Sequence, residues 1–319
     1  MTKTILINDG ISEIGKQQLI AAKFNVIDEH IEQDELIEFI NSKQVSAIIV
    51  RSATKIRKDM IDNCPSIELI GRGGVGMDNI DVEYARNKNI HVINTPNASS
   101  SSVAELVFAH LFSMVRNIYH SNRTMQLEGD LNFKKLKKQY SKGLELKGKK
   151  IGIIGFGRIG QEVAKIALGI GMDVKFYDPN INLQNITIDF YNKKTIDFEL
   201  KKTDFNELLS DSDIITVHIP KQTQPLINAQ ELEKMKKGAF IINTSRGGII
   251  NETDLMNKLD NRHIQCAALD VFENEPNPKL ELLMNEYISL SPHIGASTLE
   301  AQNRIGIELA EQIKKLLNG

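Results

Sequence analysis

At 319 residues the chain exceeds what one ordinary hydrophobic core holds and suits two domains of roughly 100 to 200 residues each. Its 41% hydrophobic and 25% charged residues, with a net charge of -2, are those of a globular protein in water and carry no basic excess that would advertise nucleic acid or an anionic membrane. Two cysteines, Cys64 and Cys266, lie far apart without Cys or His at ligand spacing, which argues against a disulfide framework and a structural zinc site, so no metal is expected.

The N-terminal MTKTILINDGI turns polar after a few apolar residues and reads as a first strand, not a secretory leader. Short runs rich in Ile and Val then alternate with helical patterns, the signature of parallel β/α architecture. TILIN, NVID, SAIIV, ELIG and HVIN are the predicted strands of the first third, with helices near 11–22, 34–42, 57–63 and 81–88. NTPNASSSS breaks this rhythm with Pro96 and a serine cluster. A long helix is expected from there, capped by Ser102 three residues ahead of Glu105 and running to about Leu127. Its apolar stretch, SVAELVFAHLFSMV, is too short to span a bilayer and carries Glu105 and His110, so a cytoplasmic protein is expected.

The lysine-rich FKKLKKQYSKGLELKGKK reads as a solvated loop. KKIGIIGFG then opens a second series of strands, VKFYD, IITVH, AFIINTS, CAALD and YISLS, interrupted by a polar excursion at 181–203 that the sequence gives no task. An amphipathic helix from about Leu299 to Leu317 ends the chain.

GFGRIG, Gly155 to Gly160, follows an apolar strand and precedes a helical stretch, the context that gives a G-x-G-x-x-G string meaning. Gly155 permits the tight turn, Gly157 lets a pyrophosphate approach the backbone, and Gly160 lets the helix pack on the strand. Free N–H groups and the dipole at that helix N-terminus suit an anion. Asp178, ending VKFYD, stands where a dinucleotide fold presents an acid to the adenine ribose, and no arginine follows closely, which favours NAD over NADP. The expected fold is therefore α/β with two doubly wound parallel-sheet domains. A Rossmann NAD-binding domain, 98–294, is inserted in a flavodoxin-like substrate domain made of 1–97 and 295–319.

Ends of the second series carry Arg246 after AFIINTS, Asp270 and Glu275 in CAALDVFENEP, and His293 in YISLSPHIGAS. Open α/β sheets bind ligands at strand C-termini, so an arginine, a carboxylate and an imidazole delivered to one rim suggest a reaction centre.

With RSATKI, GRGGVGMDNID, NTPNASSSSVAE, GIIGFGRIGQEVA, ITVHIP, NTSRGGIINE, ALDVFENEP and SPHIGAST in order, the chain resembles the D-2-hydroxyacid dehydrogenases, most closely the D-3-phosphoglycerate dehydrogenases of serine biosynthesis. The resemblance implies Arg246, Glu275 and His293 as catalytic residues, with Glu273 the less favoured acid because it is not next to Pro276. It implies cofactor contacts from Val75, Arg158, Ile159, Asp178, His218, Ile219, Pro220, Thr244, Ser245, Arg246, Asp270, His293, Gly295 and Ala296, beside the loop glycines. Substrate contacts fall on Arg51, Ser52, Arg72, Gly73 and Gly74, where cationic side chains suit a second anionic group.

The implied reaction is NAD-dependent oxidation of D-3-phosphoglycerate to 3-phosphohydroxypyruvate in a homodimer built through the NAD-binding domain. Histidine is the base such a reaction needs near neutral pH, and a carboxylate beside it would stabilise the imidazolium and fix its tautomer. Alternatives are a glyoxylate/hydroxypyruvate reductase or another D-2-hydroxyacid dehydrogenase, and, of another class, an NAD-sensing corepressor-like binding protein. The chain has no room for the C-terminal regulatory domain of longer phosphoglycerate dehydrogenases, so no inhibition by serine through one is expected.

Overall fold

Strands buried on both faces need unbroken apolar runs, and those runs organise this fold. The computed structural model describes residues 2–317. The chain divides into two compact units, one comprising the residues up to Ser102 and from Ala296 onward, the other Val103–Gly295. In chain order the first elements are β1 (Thr4–Ile7), α1 (Glu13–Ala21), β2 (Asn25–Asp28), α2 (Leu36–Lys43), β3 (Val45–Val50), α3 (Lys58–Asn63), β4 (Leu69–Arg72), α4 (Val82–Asn87) and β5 (His91–Asn94). Then come α5 (Ser100–Val115), α6 (Ile118–Gln139), β6 (Lys150–Ile154), α7 (Arg158–Gly169), β7 (Asp173–Tyr177), β8 (Leu183–Asp189), β9 (Thr195–Lys201), α8 (Phe205–Asp211) and β10 (Ile214–Val217). The last are α9 (Ala229–Lys234), β11 (Ala239–Asn243), α10 (Glu252–Asp260), β12 (Ile264–Leu269), α11 (Leu280–Leu283), β13 (Ile288–Leu290) and α12 (Leu299–Leu317).

The first unit is a parallel sheet ordered β2-β1-β3-β4-β5, the flavodoxin-like order. One core on each face holds it, Leu6, Ile48 and Ile70 pointing to one side and Ile5, Ile49 and Leu69 to the other. Within this unit α12 lies against α1 so closely that a Cβ on Gly15 would stand 2.6 Å from the backbone of Gly306. Glycine is used there because the helix backbones themselves touch.

The second unit is a parallel sheet ordered β13-β12-β11-β10-β6-β7, again with a core on each face. The excursion at 181–203 forms the antiparallel hairpin β8–β9, and directly after it Lys202 makes a parallel bridge to Phe176 of β7. Lys202 thus occupies the edge position of a third strand, which completes the Rossmann order 3-2-1-4-5-6. The excursion is a structural part of the domain, and its polar, half-exposed strands concealed that in the sequence.

Two further expectations are corrected. The long helix does not run from Ser102 to Leu127: α5 starts at Ser100, so Ser102 is a buried residue inside it and not a cap. It ends at Val115, where Asn117 takes a left-handed φ of 52° before α6 begins. Asparagine tolerates that conformation better than most residues. Nor is the lysine-rich segment all loop, because its first part lies in α6, which continues to Gln139. Lysine is a good helix former, and an exposed helix needs no apolar stripe to betray it. Among the described residues no helix is long and apolar enough to cross a membrane.

Candidate active site

The glycine loop is built by close approaches. Gly155 has φ +89°, and a Cβ on it would stand 2.4 Å from the carbonyl oxygen of His218; one on Gly160 would stand 2.3 Å from the carbonyl oxygen of Gly155. Gly157 differs, since a Cβ there would meet nothing within 4 Å. It is the N-cap of α7 without a side-chain cap, with Arg158 and Ile159 following in the first turn. Beneath the loop Phe156 and Phe176 stack with centroids 3.9 Å apart, both fully buried. Asp178 accepts the Phe156 N–H at 2.8 Å with one carboxylate oxygen and the Asn180 N–H at 2.9 Å with the other. Spare lone pairs remain on each oxygen.

Among the buried polar atoms of this unit that have no protein partner are Nδ1 of His218 and Oγ1 of Thr244. His218 follows β10 and bonds Thr216 through Nε2 at 2.8 Å, while burial pushes its pKa down to about 3 and keeps the ring neutral. Ile219 and Pro220 continue from it, Ile219 packing against one core.

After β11 the chain turns on Asn243. Its side chain accepts Ser245 N–H and O–H at 3.0 and 2.8 Å and donates to the Arg246 carbonyl at 2.8 Å. The Arg246 guanidinium in turn donates to the Ser245 carbonyl at 2.6 Å. A Cβ on Gly247 would sit 1.7 Å from the Phe272 carbonyl oxygen, so the absence of a side chain presses the Arg246 loop against the loop that carries Glu275. That second loop is tied by a reciprocal pair: the Glu252 carboxylate accepts Glu273 N–H at 2.7 Å, and the Glu273 carboxylate accepts Glu252 N–H at 3.0 Å. Glu252 is a residue that the sequence did not single out, and burial raises its pKa.

His293 and Glu275 meet across 18 residues of chain, Nδ1 to Oε2 at 2.8 Å, while Oε1 of Glu275 accepts the Phe272 N–H at 2.9 Å. Glu273 is occupied instead with Glu252 and Lys279. Burial pushes the Glu275 carboxyl up, but the bond from His293, the Phe272 N–H and the nearby charges of His293 and Arg246 outweigh it, leaving the pKa below its ordinary value. Since the carboxylate takes Nδ1–H, Nε2 of His293 is left bare, able to accept a proton.

His293 has φ +54°, a conformation few non-glycine residues adopt. Asp270 holds the turn. It is fully buried and accepts Ile294 N–H at 2.8 Å, Gly295 N–H at 2.9 Å and the Ser291 hydroxyl at 2.6 Å. The Asp270 carboxylate, for which the sequence suggested a cofactor contact, thus takes three protein hydrogen bonds, two on one oxygen and one on the other.

In the first unit Arg51 and Ser52 follow β3, and Arg72 ends the neighbouring β4, paired with Val50. Asp9 accepts the Arg51 N–H at 2.6 Å, and Asn79 donates to the Arg51 carbonyl at 2.8 Å. Gly74, at φ +143°, leaves room for the Arg72 guanidinium, 1.6 Å from where a Cβ would be. Gly73 packs toward Ile305, Val75 accepts the Asn94 side-chain N–H at 2.7 Å, and Ala296 accepts that of Gln302 at 2.7 Å.

Residues 108–295 match the family described as D-isomer specific 2-hydroxyacid dehydrogenase, NAD binding domain. The chain belongs to this family.

The dehydrogenase is 41% identical, over 98% of its length, to hydroxypyruvate reductase of Thermotoga maritima, 97% of which is covered. It is 42% identical, over 90% of its length, to D-3-phosphoglycerate dehydrogenase of Methanocaldococcus jannaschii, and spans 52% of that protein. The NAD+-bound 3-phosphoglycerate dehydrogenase of Entamoeba histolytica superposes with a TM-score of 0.78 at 28% identity, over 100% of this chain and 96% of that one.

The dehydrogenase uses NAD, and its residues fit that group. Open space above Gly157 and the uncapped start of α7 suit a pyrophosphate, Asp178 retains acceptors for ribose hydroxyls, and the orphaned atoms of His218 and Thr244 await polar partners.

Proposed function

We propose that this NAD-dependent dehydrogenase oxidises D-3-phosphoglycerate to 3-phosphohydroxypyruvate, the first step of serine biosynthesis. The observation that carries the chemistry is the 2.8 Å bond between His293 and Glu275. With Nδ1–H held by the carboxylate, Nε2 takes the proton of the substrate hydroxyl, and Glu275 stabilises the imidazolium that results. NAD, when bound, supplies the acceptor for the hydride that leaves C2. Arg246 binds the α-carboxylate and steadies the negative charge that grows on the hydroxyl oxygen, a contribution on the order of 3 kcal/mol for one well-placed donor. In the reverse direction the protonated ring returns the proton to the keto oxygen.

A phosphate on the substrate is supported by the two arginines at the ends of paired strands β3 and β4, Arg51 and Arg72, beside the glycines 73 and 74. A second reading, hydroxypyruvate reduction by the same residues, is favoured by the match over nearly the full length of the Thermotoga maritima enzyme. The deciding experiment measures NADH-dependent reduction of 3-phosphohydroxypyruvate and of hydroxypyruvate side by side. The first reading expects kcat/KM at least about tenfold higher for the phosphorylated acid, one phosphate contact being worth that much, and loss of this preference in Arg51→Ala or Arg72→Ala. Preference for hydroxypyruvate would establish the second.

A homodimer through the NAD-binding domain is supported by exposed apolar side chains along α6, among them Leu127, Leu131 and Phe133. Light scattering of the purified protein at twice the chain mass would agree with it. Catalysis in serine biosynthesis would place the enzyme in the cytoplasm.

A further inference from the structure

His110 lies on α5, in the apolar stretch SVAELVFAHLFSMV, and is 6% exposed. Leaving a buried imidazole without partners is costly, and this one has both nitrogens engaged. Nδ1 lies 2.8 Å from the hydroxyl of Ser289, within β13, and Nε2 lies 2.9 Å from that of Ser291, just beyond its end.

The direction of each bond follows from the one group that only accepts. The Asp270 carboxylate takes the Ser291 hydroxyl proton at 2.6 Å. Ser291 Oγ then accepts from Nε2–H of His110, so Nδ1 is bare and accepts from the Ser289 hydroxyl. The chain of donors therefore runs Ser289, His110, Ser291, Asp270. Asp270 is also the group that binds the amides of Ile294 and Gly295 and so holds His293 in its left-handed conformation. Burial, only partly opposed by the nearby Asp270 charge, lowers the pKa of His110. The neutral ring that this direction requires is thus present at neutral pH.

We propose that His110 is a positioning residue for hydride transfer, orienting Ser291 and through it Asp270, so that the turn carrying His293 keeps its geometry. The proposal rests on the reading of His293 as the proton acceptor. Neutral His110 supplies one donor and one acceptor from separate atoms of a rigid ring, which neither an apolar side chain nor a lone hydroxyl can do.

The test compares His110→Phe, which fills the space and removes both bonds, with His110→Gln, which keeps a nitrogen donor toward Ser291. Ser291→Ala, the double variant His110→Phe/Ser291→Ala, and His293→Gln complete the set. Amide hydrogen exchange across residues 291–296 reads the turn without any substrate, and kcat, KM and the NADH dissociation constant read the site. In His110→Phe, loss of the bond to Ser291 is expected to raise exchange at Ile294 and Gly295 and to lower kcat, each roughly tenfold, while NADH affinity stays within about twofold. His110→Gln should recover most of both, and the double variant should be no worse than Ser291→Ala alone.

Unchanged exchange and kcat in folded His110→Phe would overturn the proposal, as would additive effects in the double variant. Should His110→Phe not fold, unchanged exchange in Ser291→Ala would do so. Full activity in His293→Gln would instead overturn the assignment of the base, while the exchange measurement still decides whether His110 holds the turn.

Discussion

Glu275 stands between two opposed influences, burial raising its pKa and the bond from His293 lowering it, with the second group of effects prevailing. The same bond leaves Nε2 of His293 to accept a proton and sets a negative charge beside the ring. Glu275→Gln keeps an oxygen for the Phe272 N–H but loses the negative charge. Alcohol oxidation should then slow, because the imidazolium formed in the step faces an amide instead of a carboxylate. The loss in kcat should be about tenfold or more in either direction, a missing charge-assisted bond of about 1.5 kcal/mol being enough for that factor. Steady-state rates in both directions measure this, and an undiminished kcat in folded Glu275→Gln would contradict the role. At this scale the sequence identified the residue types and their rim, through the blocks NTSRG, DVFENEP and SPHIG. It did not mark Glu252, whose carboxylate binds the Glu273 amide from 21 residues away, because no local pattern marks a side chain that serves another loop's backbone.

Between elements, the contacts that matter are set by what glycine omits. Gly15 on α1 and Gly306 on α12 let two helices touch, and a Cβ at Gly15 would fall 2.6 Å from backbone atoms that cannot swing aside. Gly15→Ala is expected to destabilise the first unit by about 1–3 kcal/mol through overpacking, even though alanine is the better helix former. A lowered midpoint in thermal or urea unfolding reports it, and an unchanged or raised midpoint would show that the helices separate freely. Strands with unbroken apolar runs were legible in the sequence, since burial on both faces leaves a dense signal. The hairpin β8–β9 and the helix α6 were not, because solvent accepts many polar patterns and only burial enforces a period.

Over the whole molecule, each unit has cores on both faces of its own sheet, and each holds one cysteine: Cys64 in the first and Cys266 in the second. Burial pushes both thiols up to about 11, so at pH 8 only about 0.1% would be thiolate in the folded state. Alkylation by iodoacetamide should therefore be slow at both and should accelerate when the surrounding unit opens. NAD binds the folded second unit, so at 100 times its dissociation constant it should slow labelling of Cys266 by up to about 100-fold. A labelling rate at Cys266 indifferent to saturating NAD would contradict this.

The α/β class, the family and the cofactor were determined by the sequence itself, because strand runs and the string GFGRIG are contiguous and their meaning lies in spacing along the chain. Tertiary structure alone decided that Lys202 fills the third-strand edge and that His110 meets Ser291 across 181 residues. Those bonds join groups brought together by packing. Their energy depends on being dry and in register, and distance along the chain records neither.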